Sequence, residues 1–188
     1  MWDMPKLTEL VKESIQAPFE SDFLKEIFEI DTSAVYYKYL YDILKAYRGE
    51  ETLTVELGTW HGRSTAFLAD GNPSGKVLTV DVYPLDSFVD IRARYKNIVS
   101  YVGRSDEAQV LDTVEEESVD VCFFDTVHEY DVVSKEVSLW YPKIKNGGVM
   151  LFDDIFLNEG MIKFWNELPF NKNYSTELHW TGFGYVIK

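Results

Sequence analysis

Carboxylates follow the apolar runs of this sequence, and such side chains can bind cations or accept hydrogen bonds from hydroxyl groups. The polar residues at the ends of five successive runs are Glu56, Asp81, Ser105 with Asp106, Asp125, and Asp153 with Asp154. Unpaired acids beside a buried sheet would cost stability, so a binding site explains the set better than chance does. For Ser105 and Asp106 taken alone, a helix cap or loop position is an equally good interpretation.

Three of these acids, Asp125, Asp153 and Asp154, end runs that we expect to be neighbouring strands. Carboxylates without a cysteine or paired histidines nearby are typical ligands of hard cations such as Mg²⁺, Mn²⁺ or Ca²⁺. The sequence therefore predicts a divalent metal site on these three residues. The alternative is that Asp153 only caps a loop while Asp125 contacts a cofactor.

A histidine lies close to the predicted metal site. His128 follows Asp125 by three residues, in the loop before a predicted helix. An imidazole with an ordinary pKa of about 6.5 can accept a proton at neutral pH, so His128 is a candidate general base. We expect His61 to pack or to line a cofactor, and we assign no role to His179.

Residues 54–65, TVELGTWHGRST, predict a buried strand, a tight glycine turn and the start of a helix. Gly58 lets a ligand approach the backbone, and the helix N-terminus offers free N–H donors and partial positive charge. This corner suits a ligand with both a carboxylate and an ammonium group, such as the methionine end of S-adenosylmethionine. The residues predicted to contact it are Glu56, Gly58, Thr59, Trp60, Gly62 and Ser64.

Two other interpretations of this segment remain open. A nicotinamide or flavin fold would need G-x-G-x-x-G after the strand, but Trp60 occupies the position of the middle glycine. A plain strand–helix turn without a ligand is the second alternative. Asp81, which ends the next predicted strand, favours a nucleoside ligand because a carboxylate there can accept hydrogen bonds from ribose hydroxyls.

Composition restricts the partners and the compartment. The chain has 188 residues and a formal net charge of −14, so we expect neither nucleic acid nor anionic membranes as partners. Cys122 is the one cysteine, which excludes a disulfide within the chain and fits a reducing compartment. There is no apolar run of ~18 residues and no signal-peptide pattern, so we expect a cytoplasmic protein.

The chain alternates predicted strands and helices after residue 50, which indicates a parallel sheet with helices on both faces. The five expected parallel strands are Leu53–Leu57, Val77–Val82, Ile98–Val102, Val119–Phe124 and Val149–Phe152. A C-terminal hairpin of Tyr174–Trp180 and Gly184–Lys188 should add two strands. We therefore predict one α/β, Rossmann-like, doubly wound and mostly parallel seven-stranded sheet with an antiparallel C-terminal hairpin.

Residues 1–49 read as three helices that pack on the same domain, while residues 50–188 form the ligand-binding core. Pro18 should stop the first helix, and the second should begin near Ser21. The third should have Thr32 or Ser33 as its N-cap and end at Gly49. Asn146-Gly147-Gly148 predicts a turn into the fifth strand.

Glu56–Ser64 has the form E-L-G-x-x-x-G-x-S and resembles the first motif of class I S-adenosylmethionine-dependent methyltransferases. Phe124–Tyr130 and Lys145–Gly148 resemble the methyltransferase-24 type in particular. The same positions resemble catechol and caffeoyl-coenzyme A O-methyltransferases, in which residues at the positions of Asp125, Asp153 and Asp154 hold Mg²⁺. Those enzymes have lysine at position 128 and asparagine at position 154. Histidine and aspartate there occur in the related macrolide sugar O-methyltransferases.

The resemblance implies methyl transfer from S-adenosylmethionine to a hydroxyl of a small molecule or sugar. Asp81 would hold the ribose, and Ser105 and Asp106 the adenine end. The metal, Mg²⁺ by this resemblance, would activate the acceptor hydroxyl, and His128 would take its proton. Asp125 would also be catalytic. A module that binds the cofactor without transfer and a nicotinamide oxidoreductase are the alternatives. The sequence leaves homo-oligomerisation open.

Overall fold

Seven strands form one sheet in the computed structural model, which describes residues 2–188. The strands are β1 (Leu53–Leu57), β2 (Lys76–Asp81), β3 (Ile98–Val102), β4 (Val119–Phe124), β5 (Ile144–Phe152), β6 (Lys172–Ser175) and β7 (Phe183–Ile187). Their order is β3-β2-β1-β4-β5-β7-β6. The first five are parallel, and β7 pairs antiparallel with both β5 and β6. The predicted fold class is confirmed.

Helices cover both faces of the sheet. They are α1 (Met4–Gln16), α2 (Asp22–Ile30), α3 (Tyr36–Lys45), α4 (Arg63–Gly71), α5 (Phe88–Arg94), α6 (Ala108–Leu111), α7 (Tyr130–Trp140) and α8 (Glu159–Glu167). A short 3₁₀ turn, Tyr141–Lys143, follows α7. Among the described residues, none of these helices combines the length and the apolar composition that crossing a bilayer requires.

Two apolar cores lie on opposite sides of the sheet because side chains alternate along each strand. On β4, Val121 and Phe123 belong to the core that contains the N-terminal helices and α4. Cys122 and Phe124 belong to the other core, which contains α7 and α8. Helices α1–α3 thus pack against the same sheet that carries the candidate site.

The start of α3 differs from the prediction. The helix begins at Tyr36 after Val35, which caps it without a side-chain hydrogen bond. Ser33, a predicted N-cap, instead donates its backbone N–H (3.1 Å) and its hydroxyl (2.6 Å) to the Asp31 carboxylate. This local turn competes with helix capping. The regular helix also ends at Lys45, and turns continue to Gly49.

The C-terminal hairpin also differs from the prediction. β6 ends at Ser175, where the side-chain hydroxyl accepts hydrogen bonds from the N–H groups of Glu177 (3.1 Å) and Leu178 (3.3 Å). Residues 176–182, expected as strand and turn, therefore form a loop that runs along the carboxyl ends of the parallel strands. β5 begins earlier than expected, at Ile144. The predicted turn at residues 146–148 is therefore part of β5, where the pairing with β4 shifts register and Gly147 N–H donates to Lys188 O (2.8 Å).

Candidate functional site

A cavity of about 490 Å³ opens at the carboxyl ends of the parallel strands. It lies where the strand order reverses between β1 and β4, the usual ligand crevice of doubly wound sheets. The predicted site residues that line it are Gly58, Thr59, Trp60, Ser64, Asp81, Ser105, Asp106, Asp125, His128, Asp153 and Asp154. Glu56 and Gly62 do not line it. Asp31, Tyr36 and Tyr37 from the N-terminal segment, and His179 from the last loop, also contribute.

The glycine turn after β1 passes directly over the end of β4. Gly58 has φ +100°, and a Cβ there would lie 1.9 Å from the carbonyl oxygen of Asp125. A side chain is therefore excluded at this position, and the backbone faces the cavity. Gly62 has φ +75°, and a Cβ there would lie 2.3 Å from the Phe88 ring, so this residue packs beneath the turn. Trp60 also has positive φ, +42°, and its side chain is exposed.

Asp81 holds the glycine turn in place. One oxygen accepts hydrogen bonds from the N–H groups of Thr59 (2.8 Å) and Trp60 (2.7 Å), and the other accepts from Tyr83 N–H (2.8 Å). A carboxylate offers about four acceptor positions, so this turn leaves about one for a ligand. Asp81 therefore fixes the glycine turn and also faces the cavity.

The sequence predicted a direct contact between Glu56 and the cofactor. In the structure Glu56 lies below the glycine turn. Its side chain is fully buried and accepts hydrogen bonds from Thr65 Oγ1 (2.5 Å) and Thr79 Oγ1 (2.6 Å). Burial raises the pKa of Glu56 to about 7, against the effect of the neighbouring hydroxyls. In this arrangement Glu56 joins β1, β2 and α4 and supports the turn from behind.

The carboxylates at the β3 end of the cavity are already paired. Asp106 binds Arg104 through two contacts of 2.8 Å and Lys135 through one of 2.7 Å, and these cations lower its pKa. Ser105 donates its hydroxyl to Glu136, which also accepts from Thr126 Oγ1 (2.8 Å). Burial raises the pKa of Glu136 despite these hydroxyls. Glu136 lines the cavity and was not among the predicted contacts.

His128 lies between two carboxylates at the opposite end. Its Nε2 atom is 3.5 Å from Asp125 Oδ1 and 3.5 Å from Asp154 Oδ2. These separations exceed normal hydrogen-bond lengths, and buried Nε2 has no hydrogen-bond partner among the described residues. Burial lowers the pKa of His128, but the carboxylates, Asp125 first, outweigh burial and raise it.

His179 lies beside the two acids at the end of β5. Its Nδ1 lies 2.7 Å from Asp153 Oδ1 and 3.4 Å from Asp154 Oδ1. Asp153, Asp154 and His179 form a group of potential metal ligands, with one atom of each lying within 4.8 Å of the others. Asp125 lies outside this group. Within the described residues, this group combines two of the predicted carboxylates with an imidazole, and the role of Asp125 as a ligand stays a prediction.

The donor set of this group fits a divalent cation. Asp153 is 3% exposed, and burial raises its pKa to about 6 although the His179 imidazole opposes the shift. An ion would offset the cost of burying Asp153 beside Asp154. The signal that could have identified His179 is topological. A strand antiparallel to β5 must begin beside the carboxyl end of β5, where Asp153 and Asp154 lie.

In the metal-free protein, the pKa values of the three histidines should lie on different sides of the ordinary histidine value of 6.5. Burial lowers the pKa of His61, whereas carboxylates raise those of His128 and His179 against burial. NMR titration of the ring protons, assigned through single substitutions, measures all three. A raised folded-state pKa adds stability that is complete below pH 6.5 and is lost as pH rises through the folded pKa. A His128 midpoint below 6.5 would contradict the geometry described above.

Comparison with known proteins assigns the family. The model of a methyltransferase domain matches residues 55–155, more than half of the chain and the whole segment that builds the parallel strand ends. The chain belongs to this methyltransferase family. An uncharacterised protein of Acanthamoeba polyphaga mimivirus is 22% identical over 148 residues, which is 72% of this chain. The chain spans 66% of the length of that curated relative.

Solved methyltransferase structures share the fold. The S-adenosylhomocysteine-bound methyltransferase PaMTH1 of Podospora anserina is 14% identical, with a TM-score of 0.72 and coverage of 100% of this chain and 97% of that one. MycE of the mycinamycin pathway, in complex with Mg, S-adenosylhomocysteine and mycinamycin VI, is 20% identical with a TM-score of 0.53. That match covers 84% of this methyltransferase and 39% of MycE.

Proposed function

We propose that this methyltransferase transfers a methyl group from S-adenosylmethionine to an oxygen of a small-molecule or carbohydrate acceptor, assisted by a divalent cation. One observation carries the proposal. A single cavity has a glycine turn and a helix N-terminus on one side and a group of carboxylates and imidazoles on the other. The first suits a charged amino-acid moiety, and the second suits a hydroxyl that must lose a proton.

The cofactor would lie along β1, β2 and β3. The backbone at Gly58 and the first turn of α4 near Ser64 would bind its methionine end. The remaining acceptor position of Asp81 would take a ribose hydroxyl, while Ser105 and Asp106 would border the adenine. Both side chains are already hydrogen-bonded within the protein, so they would act mainly by shaping that end of the cavity.

The acceptor would lie over β4 and β5. A divalent cation held by Asp153 and Asp154, with Asp125 nearby, would lower the pKa of an acceptor hydroxyl. His128 Nε2 faces the space between Asp125 and Asp154 and would accept the hydroxyl proton. The protein would then hold the oxygen in line with the methyl group, and this positioning supplies much of the rate acceleration.

S-adenosylhomocysteine should bind to the purified protein, and NAD should not, since Trp60 occupies the position where a dinucleotide fold needs glycine. Isothermal calorimetry measures both affinities. Asp81→Ala should weaken S-adenosylhomocysteine binding by about 1.5–3 kcal/mol, the usual value for hydrogen bonds to a charged group. Loss of the contacts to Thr59 and Trp60 acts in the same direction because it releases the turn.

Asp90→Ala is the matched control, because Asp90 is exposed on α5 and does not line the cavity. Its affinity for S-adenosylhomocysteine should equal that of the unsubstituted protein. An NAD isotherm without one for S-adenosylhomocysteine would overturn the proposed function. Equal affinities of the Asp81 and Asp90 variants would place the ribose elsewhere.

A further inference from the structure

The loop before β7 brings a nitrogen donor to the carboxylates at the end of β5. His179 Nδ1 lies 2.7 Å from Asp153 Oδ1 and 3.4 Å from Asp154 Oδ1. Adjacent ligands around a six-coordinate ion with bonds of ~2.1 Å lie ~3.0 Å apart. The two observed separations fall on either side of that value, and one ligand atom of each residue lies within 4.8 Å of the others, so the group is close to the geometry that one ion needs.

The imidazole is held in this place by its surroundings. The Tyr36 ring packs against the His179 ring with centroids 5.3 Å apart, and Tyr36 N–H donates to Leu178 O (2.9 Å). On the other side, Gly182 N–H donates to His179 O (2.9 Å). The Thr181 hydroxyl contacts both the Asp154 carboxylate and His179 Nδ1. The donor therefore sits on a fixed loop, as a metal ligand requires.

The neighbouring histidine has different surroundings. His128 Nε2 lies 3.5 Å from each of Asp125 and Asp154 and is outside the group of potential ligands. His61 Nδ1 contacts Ser87 Oγ (2.8 Å) at the rim of the cavity. Of the protein's three histidines, His179 alone belongs to the set of potential ligands within the described residues. This difference makes the assignment testable one residue at a time.

We propose that His179 is a nitrogen ligand of the divalent cation, and that the site consequently prefers Mn²⁺ or another first-row transition ion to Mg²⁺. Imidazole favours transition metals, whereas Mg²⁺ favours oxygen ligands and retains water. In the bound form the His179 ring carries its proton on Nε2, and Nδ1 faces the ion instead of sharing a proton with Asp153. The inference rests on the proposed function in taking this ion to be the one that activates the acceptor.

Pulsed electron paramagnetic resonance with Mn²⁺ as the probe tests the ligand directly. The unsubstituted protein should show a coupling from a directly bound ¹⁴N nucleus, and labelling with ¹⁵N-histidine should convert it to the ¹⁵N pattern. His179→Gln should remove the coupling, whereas His61→Gln and His128→Gln should retain it. Absence of the coupling in the unsubstituted protein, or its persistence in the His179 variant, would overturn the proposal.

Metal affinities test the preference. His179→Gln should raise the Kd for Mn²⁺ at least ~10-fold, the lower end of the loss seen even for groups that only support a ligand. The Kd for Mg²⁺ should change much less, so that the ratio of the Kd for Mg²⁺ to the Kd for Mn²⁺ falls towards one. Equal losses for both ions would indicate a collapsed loop and would refute the nitrogen ligand.

Binding of S-adenosylhomocysteine to the same preparations separates the two proposals. The unsubstituted protein and the His179 variant should bind it equally, because the cofactor end of the cavity is untouched. If S-adenosylhomocysteine binds without a nitrogen coupling at Mn²⁺, this inference fails and the proposed function stands. If the nitrogen coupling is present and S-adenosylhomocysteine does not bind, the metal ligand stands and the proposed function fails.

Discussion

Replacement of His128 by alanine should lower the methyl-transfer turnover by about 10²–10⁴-fold, the usual contribution of a general base. The affinity for S-adenosylhomocysteine should hardly change, because the cofactor contacts are assigned to the glycine turn, the start of α4 and Asp81, and not to the His128 imidazole. The loop that contains residue 128 should also keep its conformation in this variant. Asn158 Nδ2 donates to the backbone carbonyl of His128 (2.8 Å), and this contact does not depend on the imidazole. Steady-state kinetics and calorimetry on one preparation measure both quantities.

His128→Lys gives a further control on the same position. An ordinary lysine titrates near 10.4, so any remaining activity should have its pH optimum moved upward. A histidine that only packs against Tyr130 would give a different result, namely reduced thermal stability with normal turnover per folded molecule. That outcome would remove His128 from the mechanism.

Asp153→Asn should abolish metal-dependent activity and most turnover while leaving cofactor binding intact. Asp153 is the most deeply buried acid of the metal group, and asparagine preserves its shape but not its charge. Because burial opposes the charge of Asp153, removing that charge should not lower the Tm of the metal-free protein. Turnover with and without added Mg²⁺ or Mn²⁺, together with thermal melts, measures the three effects.

Asp112→Asn serves as the matched control for this substitution. Asp112 is exposed at the end of α6 and lies outside the cavity, so its loss should affect neither metal dependence nor Tm. Full activity of the unsubstituted protein after exhaustive chelation would rule out the metal role. Asp153 and Asp154 would then be acids of a loop stabilised by His179.

The parallel strands could be predicted because runs such as Val119–Phe124 are buried on both faces and, apart from Asp120, have an apolar sequence. Once their order along the chain was known, the rule that ligands bind at the carboxyl ends of strands identified Asp125 and Asp153 as neighbours of one site. Local sequence was sufficient here because each residue's position follows from its own strand.

His179 and Glu56 could not be assigned in this way. The place of His179 depends on where β6 ends, and that is decided by the Ser175 side chain and by pairing with β7, not by local propensity. Glu56 lies on β1, one residue before the strand ends. Its orientation, however, depends on Thr65 and Thr79 from two other elements, whose hydroxyls turn it beneath the glycine turn.

Tyr36 and His179 come from opposite ends of the chain and lie against each other beside Asp153. Both fall outside residues 55–155, the segment shared with the family. Under the proposed function, the shared segment binds the methyl donor, while the two terminal segments together border the acceptor. Acceptor preference can therefore diverge through changes in these segments while the donor side stays constant. If one terminal segment is exchanged for that of a relative, the other terminal segment would have to come from the same relative, because the two contact each other.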